Sequence, residues 1–435
     1  MKKLCLVLFF ALSALVSSAQ LPDVPGNNMV GGLGMTVIDG KSYFLLNTAP
    51  EFSFSDWGVG LDLNLRIDTD GKIRKADFDE GYDFLRLIRY VRYGQKRAPL
   101  YFRVGALDAA RIGHGLLMYN YSNSISYDNR KVGLEFDMKF DSWGFETMTS
   151  NFFGAELFGG RFYYLPLSES GIPLIRSLEF GSSFVTDLSE DGRKLQNGSQ
   201  PLTLKNYDKS NPVTAAGVDV GLPILDNAFL DLGIYSEFGK ILGYGQGASF
   251  GVETNLKGLG SLFSVSGKFE HRINGDQFLP NYFGPFYEIE RFSRVKDSVY
   301  TSKLQQLEGI KSPGNGLYGS LQATILGTVK ILGSYEELYR LKNSGMLHLG
   351  TDMGDIIPFA IAKADYYRRG IKAGELFKLD EKSILTAEAG YRPYQYLIIS
   401  MFYQWTFVPV KSGGDIVRYE TVYKVEPKVS FVFRF

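Results

Sequence analysis

A two-residue rhythm runs through this chain and leaves it few folds to choose from. In WGVGLDLNLRI, Trp57, Val59, Leu61, Leu63, Leu65 and Ile67 share one parity, while Gly58, Gly60, Asp62, Asn64 and Arg66 take the other. KVGLEFDMKF sets Val132, Leu134, Phe136, Met138 and Phe140 against Gly133, Glu135, Asp137 and Lys139. NAFLDLGIYSE and GASFGVETNL repeat the pattern, with Asp231, Tyr235 and Glu237, then Ser249, Glu253 and Asn255, in the polar rows. Successive side chains of a strand point to opposite faces, so each segment is a strand with one apolar and one polar face.

Alternation alone specifies only an antiparallel sheet. The polar rows are more telling. They mix Gly, Asp, Glu, Asn, Arg and Tyr, which suits a crowded aqueous lumen better than the Lys-, Thr- and Ser-rich outer face of a sandwich. The segments run about nine to twelve residues, enough for a tilted strand to cross a bilayer, where soluble strands favour about five or six. The mean hydropathy of −0.08 would pass for a soluble protein, because the two faces of each strand cancel. The 47 basic and 47 acidic residues balance, so there is no global electrostatic case for a nucleic-acid partner.

Residues 1–19 have the anatomy of a secretory signal peptide. Lys2 and Lys3 precede an apolar run from Leu4 to Val16, and Ser17-Ser18-Ala19 forms a small-residue cleavage site. That run is too short to cross roughly 30 Å of hydrocarbon as a helix. The only cysteine, Cys5, leaves with the signal, so the mature chain is expected to have no disulfide and no cysteine metal site. No later segment has the length of an apolar helical span. The chain from 20 to 435 is expected to be one domain, an all-β transmembrane antiparallel β-barrel of about 18 strands, within a range of about 14 to 20. IDGK (38–41), FDSW (140–143) and LGTV (326–329) are expected as short periplasmic turns. The polar stretches 68–83, 189–211, 295–316 and 369–381 are expected as long external loops.

The last residues, EPKVSFVFRF, place Val429, Phe431, Phe433 and Phe435 on one parity. This end resembles the terminal assembly signal of Gram-negative outer-membrane β-barrel proteins of the porin-like kind. That signal is a polar residue, a glycine two positions on, and hydrophobic residues ending in an aromatic. Lys428, Ser430, Phe433 and Phe435 match it with serine in the glycine position. The resemblance implies an outer-membrane location and recognition by the barrel-assembly machinery. Outer-membrane lipid and lipopolysaccharide then become surface partners. Independently, a closed barrel has no free edge, so the last strand must pair with the first.

Inward-facing charges are the candidate pore-lining or ligand residues: Arg66, Arg103, Arg111, His114, Glu135, Asp137, Lys139, Glu237 and Glu253. The segment 101–131 is the least regular, and Gly113 and Gly115 flank His114. It has two readings: a fold into the barrel that brings Arg111 and His114 to a solute, or an external loop whose glycines serve a turn. The loop is favoured. DFLRLIRYVRYGQKR reads as a strand with Arg86 and Arg92 on one face and Arg89 in the apolar row, or as an interfacial amphipathic helix; the strand is preferred. Enzyme chemistry finds little support. His114, His271 and His348 are far apart, no HExxH occurs, and Ser122 and Ser124 near His114 sit in no hydrolase motif. DTDG at 68–71 breaks calcium-loop spacing at Lys72 and Ile73 and reads as a turn. No cofactor or metal is expected. The expected function is porin- or transporter-like handling of a small solute. The alternatives are a non-conducting structural or adhesive barrel and a fatty-acid-type transporter for a hydrophobic ligand.

Overall fold

The computed structural model describes residues 28–38, 41–78, 84, 87–96, 98–125, 131–154, 156–172, 174–190, 192–193, 212–257, 262–296, 299–311, 313–353, 356–371, 376–394, 396–412 and 415–434. The proposed signal peptide, Phe435, Arg86, Arg97 and Arg130 lie outside this set, as does most of 189–211, and the side chain of Phe433 is not described.

One large antiparallel sheet of 21 strand segments dominates. Trp57–Leu61 and Leu63–Asp68 continue one another past Asp62, and both pair with Lys41–Phe54. Counting them as one gives twenty strands, the upper end of the expected range. Each pairs with the next, and the ladder returns to its start. Asp415–Arg434 pairs with Asn28–Ile38 over the register Asn28↔Arg434 to Ile38↔Lys424. The sheet is therefore a cylinder, not a sandwich.

The faces divide as the parity requires. Phe44, Phe250 (52% exposed), Phe269 and Leu321 point outward, while Ser249, Glu237 (1% exposed) and Glu270 point inward and are buried. An apolar belt on the outside of a closed ring is stable only against hydrocarbon. Aromatic rings gather at one rim: Trp57 packs edge-on to Tyr93 at 5.2 Å and Phe102 at 5.5 Å, and Phe140 stacks on Trp143 at 4.1 Å. Such rings favour the headgroup level. Trp405, in Leu397–Ser412, instead donates to the carbonyl of Asp380 at 3.1 Å.

Links alternate between the two ends. FDSW and LGTV lie at the short-turn end, and the strand ends that flank the long links 69–87, 106–132, 188–212, 275–313 and 372–382 lie at the other. IDGK corrects the expectation. Asp39 and Gly40 lie outside the described residues, but Ile38 and Lys41, which flank them and pair with each other, are at the long-loop end by the alternation of strand direction. The arginine-rich segment forms the strand Ile88–Tyr93, with Tyr90 and Arg92 buried inside. A register shift opposite Gly60/Leu61 re-aims its beginning, and Arg89 ion-pairs with Asp108 at 3.6 Å instead of facing mid-bilayer lipid. The stretch 295–316 is likewise not a free loop. A hairpin of Phe292–Lys296 and Val299–Ser302 leads into the helix Lys303–Glu308, opened by a Ser302/Gln305 capping box. Its Leu304 and Leu307 are buried.

The main hydrophobic core lies inside the ring at its long-loop half. Leu107, Ile112, Leu116, Leu117 and Tyr121 from one ingoing segment meet Phe278, Phe283 and Tyr287 from another. They close against Met148, Leu157, Val185, Val213 and Ile241 of the wall. The two segments together form a plug. This reverses the favoured reading of 101–131: residues 101–105 belong to the strand Leu100–Gly105, and the chain then turns into the lumen. The physical reason is apolar. Leu107, Ile112, Leu116 and Leu117 would be stranded in water as an external loop, and burying each contributes about 1.5–3 kcal/mol.

Candidate functional site

Gly105 has φ +124, and a Cβ there would stand 2.4 Å from the carbonyl oxygen of Arg89, so only glycine makes the inward turn. The hairpin Ala110–Ile112 and Met118–Tyr121 follows. Its tip carries His114 between Gly113 (φ +59) and Gly115 (φ +102). Wall carboxylates hold the tip: Gly113 N–H donates to Glu146 at 3.2 Å and Leu116 N–H to Glu237 at 2.9 Å. Lys268 donates to the His114 carbonyl and sits over the rings of Tyr119, Tyr235 and Tyr318 at 4.4, 5.4 and 5.6 Å. Tyr119 N–H donates to Asn281 at 2.8 Å, tying the two plug segments together.

The His114 imidazole lies flat on Tyr235, 4.0 Å between centroids and 5° from parallel. Its Nε2 is 3.7 Å from Asp219 and its Nδ1 3.9 Å from Glu253, both beyond hydrogen-bond length. Arg111 reaches the same Glu253 carboxylate at 3.9 Å. Burial pulls the Arg111 guanidinium down, but Glu253 and its neighbours outweigh this and hold it above its ordinary value. These side chains border a vestibule of about 690 Å³, with Tyr119, Tyr163, Glu146 and Lys139 also lining it. The lining strand residues, such as Leu225, Asp231, Asn255 and Gln322, place it in the short-turn half.

Of the expected lining residues, Arg111, His114, Glu253 and Lys139 line this vestibule, while Glu237 is buried behind the hairpin tip and holds the Leu116 N–H. Glu135 and Asp137 are adjacent but committed: Lys96 bonds Glu135 at 2.8 Å and lies 3.7 Å from Asp137. Burial lowers Lys96, yet Glu135 and Asp137 more than offset it and hold the ammonium above its ordinary range. Arg103 is elsewhere, pairing with Asp108 at 2.9 Å at the root of the plug. Arg66 pairs with Asp77 at 3.3 Å near a different wall. Lys428 and Ser430 face inward on the closing strand, where Ser430 stands opposite Gly32 and Lys428 pairs with Glu426 at 3.2 Å.

Sequence reasoning missed the wall partners of the plug. Arg161 is 3% exposed and bridges Asp219, Glu179 and Glu146. Arg291 joins Asp187 and Glu156 at 3.0 Å each and Glu288 at 3.3 Å, while Lys131 reaches Glu288 at 2.6 Å. Inward parity marked Arg161, Asp187 and Asp219 as lumenal; nothing local marked Glu288 and Arg291 as buried.

His114, Glu179 and Asp219 place one ligand atom each within 4.8 Å of one another. A metal does not fit: the Arg161 guanidinium already occupies both carboxylates, Asp219 from Nε at 2.9 Å. Ser122 and Ser124 line a different cavity, facing Thr386 and Gln404, whereas His114 lines the vestibule.

No protein-family model matches the chain, and no curated protein does. Among solved structures, Wzi, an outer-membrane protein involved in group 1 capsule assembly in Escherichia coli and a carbohydrate-binding β-barrel, is 12% identical. The alignment covers 94% of this chain and 85% of Wzi with a TM-score of 0.33. The ferric enterobactin receptor PfeA is 10% identical, with coverages of 96% and 82% and a TM-score of 0.33. OccK11 (OpdR) of Pseudomonas aeruginosa is 10% identical, with coverages of 97% and 98% and a TM-score of 0.29. Values this low decide nothing about this chain, whose barrel is established by its own strand ladder.

Proposed function

We propose that this protein is an outer-membrane barrel that binds a small polar solute in the vestibule beneath its plug. One observation carries the reading: the hairpin at 110–121 holds Arg111 and His114 over a 690 Å³ chamber walled by charged groups and tyrosines. Convergent polar groups on rigid supports are what a small-molecule site requires. A wide-open general porin is disfavoured, because apolar packing of both ingoing segments fills the long-loop half. A fatty-acid-type ligand is disfavoured too, since the chamber offers charge and hydrogen bonds rather than an apolar sleeve. In this reading the long loops face the outside, the apolar belt meets lipid and lipopolysaccharide, and the closing strand at 415–434 is what the assembly machinery handles.

The test is equilibrium binding of candidate polar solutes to the refolded protein in detergent, followed by isothermal titration calorimetry. Saturable binding is expected in the wild type and is expected to weaken in Arg111→Ala and His114→Ala. An isotherm unchanged by both substitutions overturns the assignment of the site. A chain that binds nothing is the non-conducting scaffold instead.

A further inference from the structure

Beyond the vestibule, a second chamber of about 90 Å³ lies between the plug and the opposite wall, lined by Asn120, Ser122, Thr386, Gln404 and Thr406. A neck of about 10 Å³ separates the two, room for about one water molecule. The three spaces adjoin in series. Vestibule and neck share Tyr119, Asn120, Tyr318, Ser334 and His348; neck and far chamber share Asn120, Pro285 and Tyr367. Strand positions order them along the barrel: the vestibule in the short-turn half, His348 and Ser334 mid-strand and directly paired, and Thr386 toward the long-loop end.

Among the described residues of the neck and far chamber, two side-chain polar atoms are buried without a hydrogen-bond partner. His348 is 1% exposed. Its Nε2 meets Asp365 at 2.8 Å, its ring stacks on Tyr367 at 3.7 Å, and its Nδ1 has no hydrogen-bond partner. The Thr386 hydroxyl, on a residue 3% exposed, is likewise unpartnered. Buried polar groups are almost always satisfied, so such exceptions point to a ligand that completes them. In the tautomer that donates from Nε2 to Asp365, Nδ1 is an acceptor, and a hydroxyl both donates and accepts. A solute carrying O–H groups meets both needs.

Charge decides the solute class. Every described carboxylate on the neck and far chamber already has a protein partner: Asp365 is hydrogen-bonded to His348 at 2.8 Å, and Glu336 and Asp108 pair with Arg272 at 2.8 Å and Arg103 at 2.9 Å. An ion entering the neck would shed water where no described carboxylate stands without a partner. We propose that small uncharged, hydroxyl-bearing solutes pass between plug and wall along this line, with His348, Asn120 and Thr386 as successive hydrogen-bond partners and the neck as size filter. This deepens the solute-handling role proposed above and rests on it.

Vesicles carrying the full-length protein are diluted into isosmotic glycerol or isosmotic choline chloride, and swelling is followed by light scattering. Swelling is expected in glycerol and not in choline chloride. Ser334→Trp fills the neck and is expected to abolish the glycerol response. Thr386→Val keeps the shape, removes the hydroxyl, and is expected to slow the response while the barrel folds normally. Wild-type vesicles that do not swell, a response untouched by both substitutions, or an equal response to choline each overturn the route. Solute binding at Arg111 and His114 is read separately by calorimetry, so loss of the route leaves the vestibule site standing, and loss of the His114 effect alone sinks only that site.

Discussion

Replacing Arg291 with methionine removes the central cation of the plug's deepest polar contact. Its guanidinium is 4% exposed and serves Asp187 and Glu156 at 3.0 Å each and Glu288 at 3.3 Å. Burial pulls it down, but Asp187 and Glu288 foremost hold it well above its ordinary value, so it is charged at any working pH. The substitution leaves Asp187 tied to the plug by the Tyr287 hydroxyl, which donates to it at 2.7 Å, while Lys131 remains for Glu156 and Glu288. Orphaning a buried charge costs about 3–5 kcal/mol, or roughly two to three and a half decades in the docking equilibrium. The three pairs act as one unit, so their costs are not to be summed. Hydrogen exchange in detergent, followed by mass spectrometry, reads the effect. Peptides from 275–291 should exchange faster, because Asn281 and Phe283 N–H bonds to Leu116 and Leu117 carbonyls open when the plug undocks. Peptides from the strand Gln246–Leu256 should be unchanged. Adding Asp187→Asn removes the orphaned charge and should restore part of the protection. Unchanged exchange in the single variant, or no recovery in the double, refutes the reasoning.

Acid should loosen the plug late. Burial pushes Glu156 up, but Lys131 and Arg291 outweigh it and hold the carboxyl at about 2; Glu290 is held at about 2 by Lys303 and Arg369 in the same way. A depressed folded value stabilises fully above the ordinary carboxyl value of 4.5 and is lost as pH falls toward 2. The near-ultraviolet thermal melt should therefore hold steady from neutral pH to just above 4.5 and decline below it, and a decline that starts at neutral pH contradicts this account. On the outer face, Phe250→Arg puts a charge mid-strand on an outward position and should cost about 2–4 kcal/mol of folding into lipid vesicles, read by urea titration. A loss-free Phe250→Arg would mean that this row does not face lipid.

The sequence by itself settled the wall. A period of two needs no distant partner to be read, so the apolar rows through Phe136, Phe250 and Val429 and the inward Glu135, Glu237 and Glu253 were legible residue by residue. Closure was legible too, as the need for the last strand to find the first. The plug was not. Residues 106–125 and 275–291 carry no regular period, and an irregular segment rich in Gly, Asn and Tyr reads equally as a solvated loop. What sends them inward is burial of Leu107, Leu116, Phe278 and Phe283 against each other and the wall, contacts made across more than 150 residues of chain. The same holds for His114 and Tyr235, Arg161 and Asp219, and Arg291 and Asp187: the parity of the wall residues Tyr235, Arg161, Asp219 and Asp187 was visible, but the pairing was not. Local pattern chooses a face because strand geometry is local. Only the closed cylinder decides which inward groups meet at its centre, since that depends on which strands curvature brings opposite one another.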